Sequence, residues 1–163
     1  MDNKYKKIIR FIFVIACFFQ FTIFFSQNKG KVILKIIHKN NFISSTPSDN
    51  FVLNIYSCIN CSFNVEYIRN HTPHNYHDSF KINKKVYEIN ELLDQDQIDF
   101  YNATYNNKQY LFVSSSDNGS SRFYSKYKHY YLFRFNKQMT VISFKKLIAS
   151  KFSNEKAFLE LTK

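Results

Sequence analysis

The sequence predicts a β-rich α+β protein: an antiparallel sheet, or meander, with one or two short helices, after an N-terminal hydrophobic leader helix. Three observations carry this prediction. The chain begins with a basic stretch followed by an uncharged apolar run. Most of the remaining chain is built of short segments rich in β-branched and aromatic residues, separated by turn-length gaps. Near the C-terminus, apolar residues recur at helical spacing. We therefore expect a leader over residues 1–26 and a single β-rich domain over residues 27–163.

The leader has the layout of a secretory signal peptide. Its basic residues, Lys4, Lys6, Lys7 and Arg10, precede an uncharged run over residues 11–25, and the small residue Ser26 follows at once. A positive start, an apolar centre and a small residue at the exit are the three parts of such a signal. Cleavage after Ser26 would leave Gln27 as the new N-terminus.

The exit of this leader reads Phe24-Phe25-Ser26-Gln27. It resembles the leaders of small exported proteins of the flavobacterial type, in which a Phe-rich run is followed by Ser-Gln or Ala-Gln. The resemblance covers only the leader and brings no functional family for residues 27–163. It implies a periplasmic, envelope or secreted location and nothing about activity.

Two other interpretations of the leader remain open. It can be an uncleaved anchor, in which residues 8–25 contact the membrane and the basic end stays in the cytoplasm. It can also carry a lipid, because Val14-Ile15-Ala16-Cys17 is similar to a lipoprotein cleavage motif. All three interpretations place the folded part outside the cytoplasm.

Composition restricts the function only loosely. The chain has 23 Lys and Arg against 12 Asp and Glu, a net charge of +11. Such a charge favours an acidic partner, whether a polymer or a protein, although it also serves plain solubility. With only two glycines in the chain, the glycine-rich loops that hold nucleotide cofactors are excluded. No nucleophile elbow, phosphate loop or metalloprotease helix is present, so we predict no catalytic residues.

In the first half of the domain the periodicity predicts four strands. They cover residues 31–39, 51–57, 62–68 and 80–89, the last broken by a turn at residues 83–85. Polar and turn-forming residues predict loops over residues 40–50 and 70–78. Asn90 resembles a helix N-cap and Glu91 suits the positive end of a helix dipole, so a two-turn helix is predicted over residues 90–97.

The second half contains the clearest part of the predicted sheet. Strands are expected over residues 98–105, 109–115, 128–136 and 139–144, with turns at residues 106–108 and 136–138 and a tip at residues 116–121. In the third of these strands, Tyr131, Phe133 and Phe135 share one face. Residues 145–152 fit either a continued strand or a helical turn. A final helix is predicted over residues 154–162, capped by Ser153 or Asn154, with Ala157, Phe158 and Leu161 on one side.

One stretch concentrates the side chains that bind metals or undergo redox chemistry. Its members are Cys58, Cys61, His71, His74 and His77. Zinc is the cofactor that Cys and His ligands favour, and a two-residue gap between cysteines fits one ion. A thioredoxin-type pair would need a helix beginning at Cys58, where the pattern predicts strand. The preferred interpretation is a Cys58–Cys61 disulfide, because thiols outside the cytoplasm tend to oxidise. That bond needs a bend at Ile59-Asn60, which would pair the two flanking strands as a hairpin.

A second candidate site is a surface on which basic and aromatic residues alternate. We single out Arg122, Lys126, Lys128, Arg134, Tyr124 and Tyr127. No acid occurs between Asp117 and Glu155, and cations interleaved with aromatic rings can bind nucleic acids or sugars. The alternative is structural, with the strands burying one aromatic face and exposing the other.

Together these observations favour an exported protein of the non-enzymatic binding or interaction type, in the envelope or outside the cell. The alternative is a small metal-binding or redox protein that uses Cys58, Cys61 and the three histidines.

Overall fold

The computed structural model describes residues 30–40, 44–45, 50–72, 75–89, 91–94, 97–116, 127–150 and 152–163. From Val32 to Lys163 the chain belongs to one compact unit. Within the described ranges it forms eleven strands and one helix. They are β1 (Ile33–Ile36), β2 (His38–Asn40), β3 (Ser44–Ser45), β4 (Asn50–Ser57), β5 (Asn64–Thr72), β6 (Asn75–Ile82), β7 (Lys85–Ile89), β8 (Asp99–Tyr105), β9 (Lys108–Ser116), β10 (Lys128–Phe135), β11 (Val141–Ala149) and α1 (Asn154–Thr162). The predicted β-rich α+β fold is confirmed.

The strands form two antiparallel sheets. Sheet A has five strands in the order β1-β8-β9-β10-β11, and sheet B has six in the order β2-β4-β5-β6-β7 with β3 beside β4. From β8 to β11 each strand pairs with the next along the chain, so the predicted meander is confirmed. The two sheets pack against each other, and helix α1 packs on the other face of sheet A.

The main core lies between the inner faces of the two sheets. Phe80 on β6 is fully buried, and its ring meets the edges of Phe100, Tyr131 and Phe133 at centroid distances of 5.6, 5.2 and 6.2 Å. Edge-to-face contacts of this kind stabilise aromatic pairs beyond the area that they bury. The prediction that Tyr131, Phe133 and Phe135 share one face of β10 is confirmed, because all three belong to this core.

A second core lies between the outer face of sheet A and α1. It contains Ala103, Tyr110, Phe112, Tyr130 and Leu132 from the sheet and Ala157, Phe158 and Leu161 from the helix. Sheet A is thus covered on both faces at its centre. This explains why the sequences of β9 and β10 read as nearly continuous apolar runs rather than alternating ones.

Helix α1 begins where the sequence predicts. Ser153 is the N-cap, and its hydroxyl oxygen accepts a hydrogen bond of 3.2 Å from the backbone N–H of Lys156. Such a cap satisfies one of the N–H groups that the first helical turn leaves unpaired. The predicted apolar side of Ala157, Phe158 and Leu161 is confirmed as the buried side of the helix.

Asparagine makes the tight turns of this glycine-poor chain. Asn83 in the β6–β7 turn has a φ of 55°, and Asn106 and Asn107 in the β8–β9 turn have φ values of 50° and 58°. Two-residue hairpin turns require this left-handed conformation, which Asn tolerates better than most residues. The turns predicted at residues 83–85 and 106–108 are therefore confirmed, with their physical cause visible.

The helix predicted over residues 90–97 is wrong at residues 91–94. That segment is not helical, and Leu93 makes a β-bridge with its side chain fully buried in the main core. Its backbone polar groups bind side chains of sheet B instead of completing helical hydrogen bonds. Local helix signals are weak, and burial of one side chain between the sheets overrides them here.

Three further differences concern the ends of strands. The single strand predicted over residues 31–39 breaks at the buried Ile37, where the chain leaves β1 in sheet A and enters β2 in sheet B. The loop predicted over residues 70–78 is wrong, because β5 and β6 continue as a paired hairpin to Thr72 and from Asn75. The open choice at residues 145–152 is settled for residues 145–149, which continue β11.

The leader and the possible membrane contact of residues 8–25 lie outside the described residues. Across the ranges that the structure describes, no helix combines the length and the apolar character needed to span a membrane.

Candidate functional site

The Cys58–Cys61 pair lies in the turn between β4 and β5. The two Cα atoms are 5.4 Å apart and the sulfurs are at bonding distance. The backbone N–H of Cys61 donates a 3.5 Å hydrogen bond to the carbonyl oxygen of Cys58, which closes the turn. The flanking strands pair antiparallel, with Ser57 opposite Asn64, so the predicted hairpin is confirmed. The pair packs against the main core.

The structure does not bring the cysteines and His77 together. His77 on β6 lies opposite Asn70 on β5, whereas the cysteines lie beyond Asn64 at the other end of that strand. At the usual rise per residue, these positions on β5 are about 20 Å apart. The side chain of His71 and the whole of His74 lie outside the described residues. Within the described ranges, no group of three His, Cys, Asp or Glu side chains is placed to hold a metal ion.

The predicted basic and aromatic surface is only partly described. Arg122, Tyr124 and Lys126 lie outside the described residues. Tyr127 and Lys128 are exposed at the start of β10, and Arg134 is half-buried near its end. Lys128 and Arg134 point to the same face of β10, but Tyr130 and Leu132 between them are buried beneath α1. The described members therefore form no continuous basic patch.

A buried polar cluster, which the sequence does not reveal, joins sheet B to residues 91–94. The fully buried carboxylate of Asp78 accepts hydrogen bonds from the Tyr67 hydroxyl, from Arg69 Nε at 3.3 Å and from the Leu93 N–H at 2.6 Å. Arg69 Nη2 also donates to the Leu93 carbonyl oxygen at 2.6 Å and to the Tyr67 hydroxyl at 3.1 Å. The cluster thus satisfies a buried stretch of non-helical backbone.

The electrostatics of the cluster follow from its burial. Burial raises the pKa of the Asp78 carboxyl above its ordinary value of 3.8, against the opposing effect of the hydrogen bonds from Tyr67, the Leu93 N–H and Arg69. Burial, and then the charge of Asp78, raises the pKa of Tyr67. The hydroxyl therefore stays protonated and donates a hydrogen bond to the Asp78 carboxylate. Because these groups bind one another, the cluster has the character of a structural clamp rather than an open reactive site.

Glu91 extends the clamp across to sheet A. Its Oε2 accepts a hydrogen bond of 3.0 Å from the Tyr131 hydroxyl, and its Oε1 forms an ion pair with Lys146 on β11. The backbone N–H of Asp78 donates to the Glu91 carbonyl oxygen at 3.3 Å. Residues 91–94 therefore tie β6 of one sheet to β10 and β11 of the other.

The feature best suited to binding is the outer edge of β11, which we call the β11 edge. It comprises strand β11, Val141–Ala149: the backbone N–H and C=O groups that point away from β10, and the side chains on both faces of the strand. In the described part of the chain, β11 is the last strand of sheet A and pairs only with β10. Ile142, Phe144 and Ile148 remain 52, 39 and 48% exposed. An edge strand leaves alternate N–H and C=O groups unpaired, so this edge can accept another strand.

Arg134, one of the predicted surface residues, lies beside the β11 edge. It is opposite Ser143, and it is the diagonal neighbour of Lys145, because Leu132 is opposite Lys145. Both side chains point to the outer face of sheet A. The structure thus links one predicted binding residue to an exposed edge that could not be located from sequence alone.

No protein-family model matches the chain, and neither a curated protein nor a solved structure matches it. The interpretation of the site therefore depends on its geometry.

Proposed function

We propose that this chain is an exported, non-enzymatic binding protein of the cell envelope or the extracellular space, which holds a protein partner along the β11 edge. The observation that carries this proposal is the nine-residue strand β11 at the margin of a covered sheet, with Ile142, Phe144 and Ile148 exposed along it. A long edge with apolar side chains promotes association unless a partner covers it.

Two further observations support the proposal. Tyr67, Arg69 and Asp78 form a buried ionisable cluster whose hydrogen bonds go to one another and to the backbone of Leu93. This supports a structural role for the cluster. The leader pattern of residues 1–26 favours export, as does its resemblance to the leaders of small exported proteins. The disulfide between Cys58 and Cys61 belongs to the same proposal, since oxidised pairs persist outside the cytoplasm.

Export and the disulfide are tested together by the intact mass of the protein recovered from a bacterial host. We expect a chain that begins at Gln27 and that is lighter than the reduced form by two hydrogens. The double variant Cys58→Ser, Cys61→Ser is the control, and its mass should not change on reduction. A full-length chain retained in the cytoplasm would contradict export, and free thiols in the exported protein would contradict the disulfide.

Binding at the β11 edge is tested by placing a photo-crosslinking amino acid at Ile148 in the exported protein. The control position is Ile36 on β1, which is also an exposed isoleucine but lies on the opposite edge of sheet A. We expect discrete adducts of one mass from position 148 and none of that mass from position 36. Equal adducts at both positions, or none at either, would contradict the proposed binding function.

A further inference from the structure

We propose that the partner contributes an extended acidic segment, which adds to sheet A as a new strand along the β11 edge and places its carboxylates against Lys145 and Arg134. This inference rests on the proposed function and names the class of partner that the edge fits. Three features of the described residues carry it: the unpaired backbone, the shape of the inner face and the charge of the outer face.

The unpaired backbone of β11 favours a partner in the extended conformation of a β-strand. The strand runs for nine residues, from Val141 to Ala149, and forms a regular antiparallel ladder with β10 from Ser143 onward. A bulge near Ile142 ends the regular register, since Arg134 pairs with Ser143 but Phe135 with Val141. With a regular ladder on the β10 side, the N–H and C=O groups of alternate residues point outward on the other side, as a further paired strand requires. An extended peptide can therefore bind by main-chain hydrogen bonds, as in other cases of strand addition.

The inner face of the β11 edge carries two exposed apolar side chains, Phe144 and Ile148, with the ion-paired Lys146 between them. The ring of Phe144 stacks on Phe133 at a centroid distance of 4.6 Å and meets Tyr87 of sheet B at 5.8 Å. Its exposed part is therefore fixed before a partner arrives, which lowers the entropic cost of binding. Ile148 lies four residues further along the same face. Alternate apolar side chains of an incoming strand would pack against these two residues.

The outer face of the β11 edge carries positive charge without a matching acid. Lys145 is exposed, and among the described residues no carboxylate forms an ion pair with it. The neighbouring Arg134 has a buried Nε that finds no hydrogen-bond partner within the described chain. By contrast, Lys146 on the inner face is already paired with Glu91. Charge complementarity therefore favours acidic side chains on the outer face of the incoming strand.

The same charge disfavours a second copy of this chain as the occupant. Two β11 strands paired antiparallel along their full length would place Lys145 of one copy opposite Lys145 of the other. Like charges directly opposite each other in a sheet are destabilising. Lysine on an edge strand is also a common protection against self-association. The charge of this edge thus disfavours pairing with another copy and favours pairing with an acidic strand.

The probe is a synthetic peptide designed from the register of β11. In antiparallel alignment, acetyl-Thr-Val-Val-Thr-Glu-Val-Glu-Val-amide puts its two Glu residues opposite Lys145 and Ser143, and Val residues opposite Phe144 and Ile148. One control peptide has Lys in place of both Glu residues. A second keeps both Glu residues but has Pro in place of the central Thr, which removes a main-chain donor and disfavours a strand.

We expect the acidic peptide to bind the purified exported protein by fluorescence anisotropy and to slow hydrogen exchange of amides in β11. Lys145→Glu should weaken its binding by about tenfold or more, because attraction becomes repulsion. Lys35→Glu makes the same charge change on β1, at the opposite edge of sheet A, and should leave the affinity within about twofold. The Lys peptide and the Pro peptide should both bind at least about tenfold more weakly than the acidic one.

Several outcomes would overturn this inference. Equal binding of the acidic and Lys peptides would exclude charge selection, and equal binding of the Pro peptide would exclude strand addition. Protection of amides away from β11 would place the site elsewhere. Protection of β11 amides that rises with protein concentration alone would identify a second copy as the occupant. Adducts at position 148 without binding of the acidic peptide would overturn this inference but leave the proposed function standing.

Discussion

Replacing Asp78 with Ala is expected to lower the free energy of unfolding by about 3–5 kcal/mol, the usual cost of removing one partner from a buried ion pair. The side chain of Asp78 is 0% exposed and that of its partner Arg69 is 12% exposed. The variant would leave the Arg69 charge without its carboxylate and the backbone N–H of Leu93 without an acceptor. Both groups would stay desolvated, and this is the source of the cost. Urea denaturation at neutral pH measures it.

Two comparisons separate this mechanism from a general effect of mutation. Glu88→Ala removes an exposed carboxylate on the neighbouring strand β7, opposite Ser79, and should change stability by no more than about 0.5 kcal/mol. Arg69→Met, alone and combined with Asp78→Ala, completes a double-mutant cycle. Because the two residues share one network, the double variant should be more stable than the sum of the single losses predicts, by about 0.5–3 kcal/mol. Additive losses would contradict the coupling.

The pKa of Asp78 adds a dependence on pH with a defined sign. Its folded-state value is raised above 3.8, so the folded protein holds this proton more tightly than the unfolded chain. The corresponding contribution to stability is fully present below pH 3.8 and is lost as the pH rises through the folded-state pKa. The stability of the wild type relative to Asp78→Asn should therefore fall over that range. A relative stability that rises with pH would show that the pKa is lowered instead.

Strands β8, β9 and β10 of sheet A are the part of the fold that the sequence predicts best. Each is a run of β-branched and aromatic residues, and the gaps between β8 and β9 and between β10 and β11 contain turn-forming Asn residues. These signals are local, so a single sequence contains them. The predicted apolar side of α1 is correct for the same reason, since helical spacing and a Ser cap are also local features.

The errors arise where distant contacts decide the structure. Asn90 and Glu91 resemble a helix start, but Leu93 is drawn between the sheets, and its backbone is satisfied by Arg69 and Asp78. The local sequence around Leu93 gives no sign of these hydrogen-bond partners, because Arg69 and Asp78 lie on strands that are distant along the chain. The polar stretch over residues 70–78 reads as a loop, yet pairing between the strands extends β5 to Thr72 and starts β6 at Asn75.

The candidate site shows the same division. The sequence singles out Arg134 because basic and aromatic residues alternate around it, and it predicts the first part of β11 as a strand over residues 139–144. Which strand ends a sheet depends on the order of all its strands, and that order is non-local. The exposed edge, and the position of Arg134 beside Lys145, therefore became visible only in three dimensions.

Replacing Phe158 with Ala is expected to lower the free energy of unfolding by about 3–5 kcal/mol, as for other fully buried phenylalanines. Phe158 is the central contact of α1 with sheet A. Its ring is 0% exposed and meets Tyr105, Tyr110 and Phe112 edge-on at centroid distances of 6.0, 5.4 and 5.7 Å. Removing it leaves a cavity between the helix and the sheet, and the cost of such a cavity adds to the lost burial. Urea denaturation again measures the loss.

Phe144→Ala is the matched control for this prediction. This variant makes the same Phe-to-Ala change, but on strand β11 of sheet A. Because Phe144 is already 39% exposed, less apolar area returns to water and no closed cavity forms. We expect the Phe158 variant to lose clearly more stability than the Phe144 variant. Hydrogen exchange should also be faster in α1 of the Phe158 variant, because a nine-residue helix is not stable without its packing. Equal losses, or unchanged exchange in α1, would mean that Phe158 does not anchor the helix.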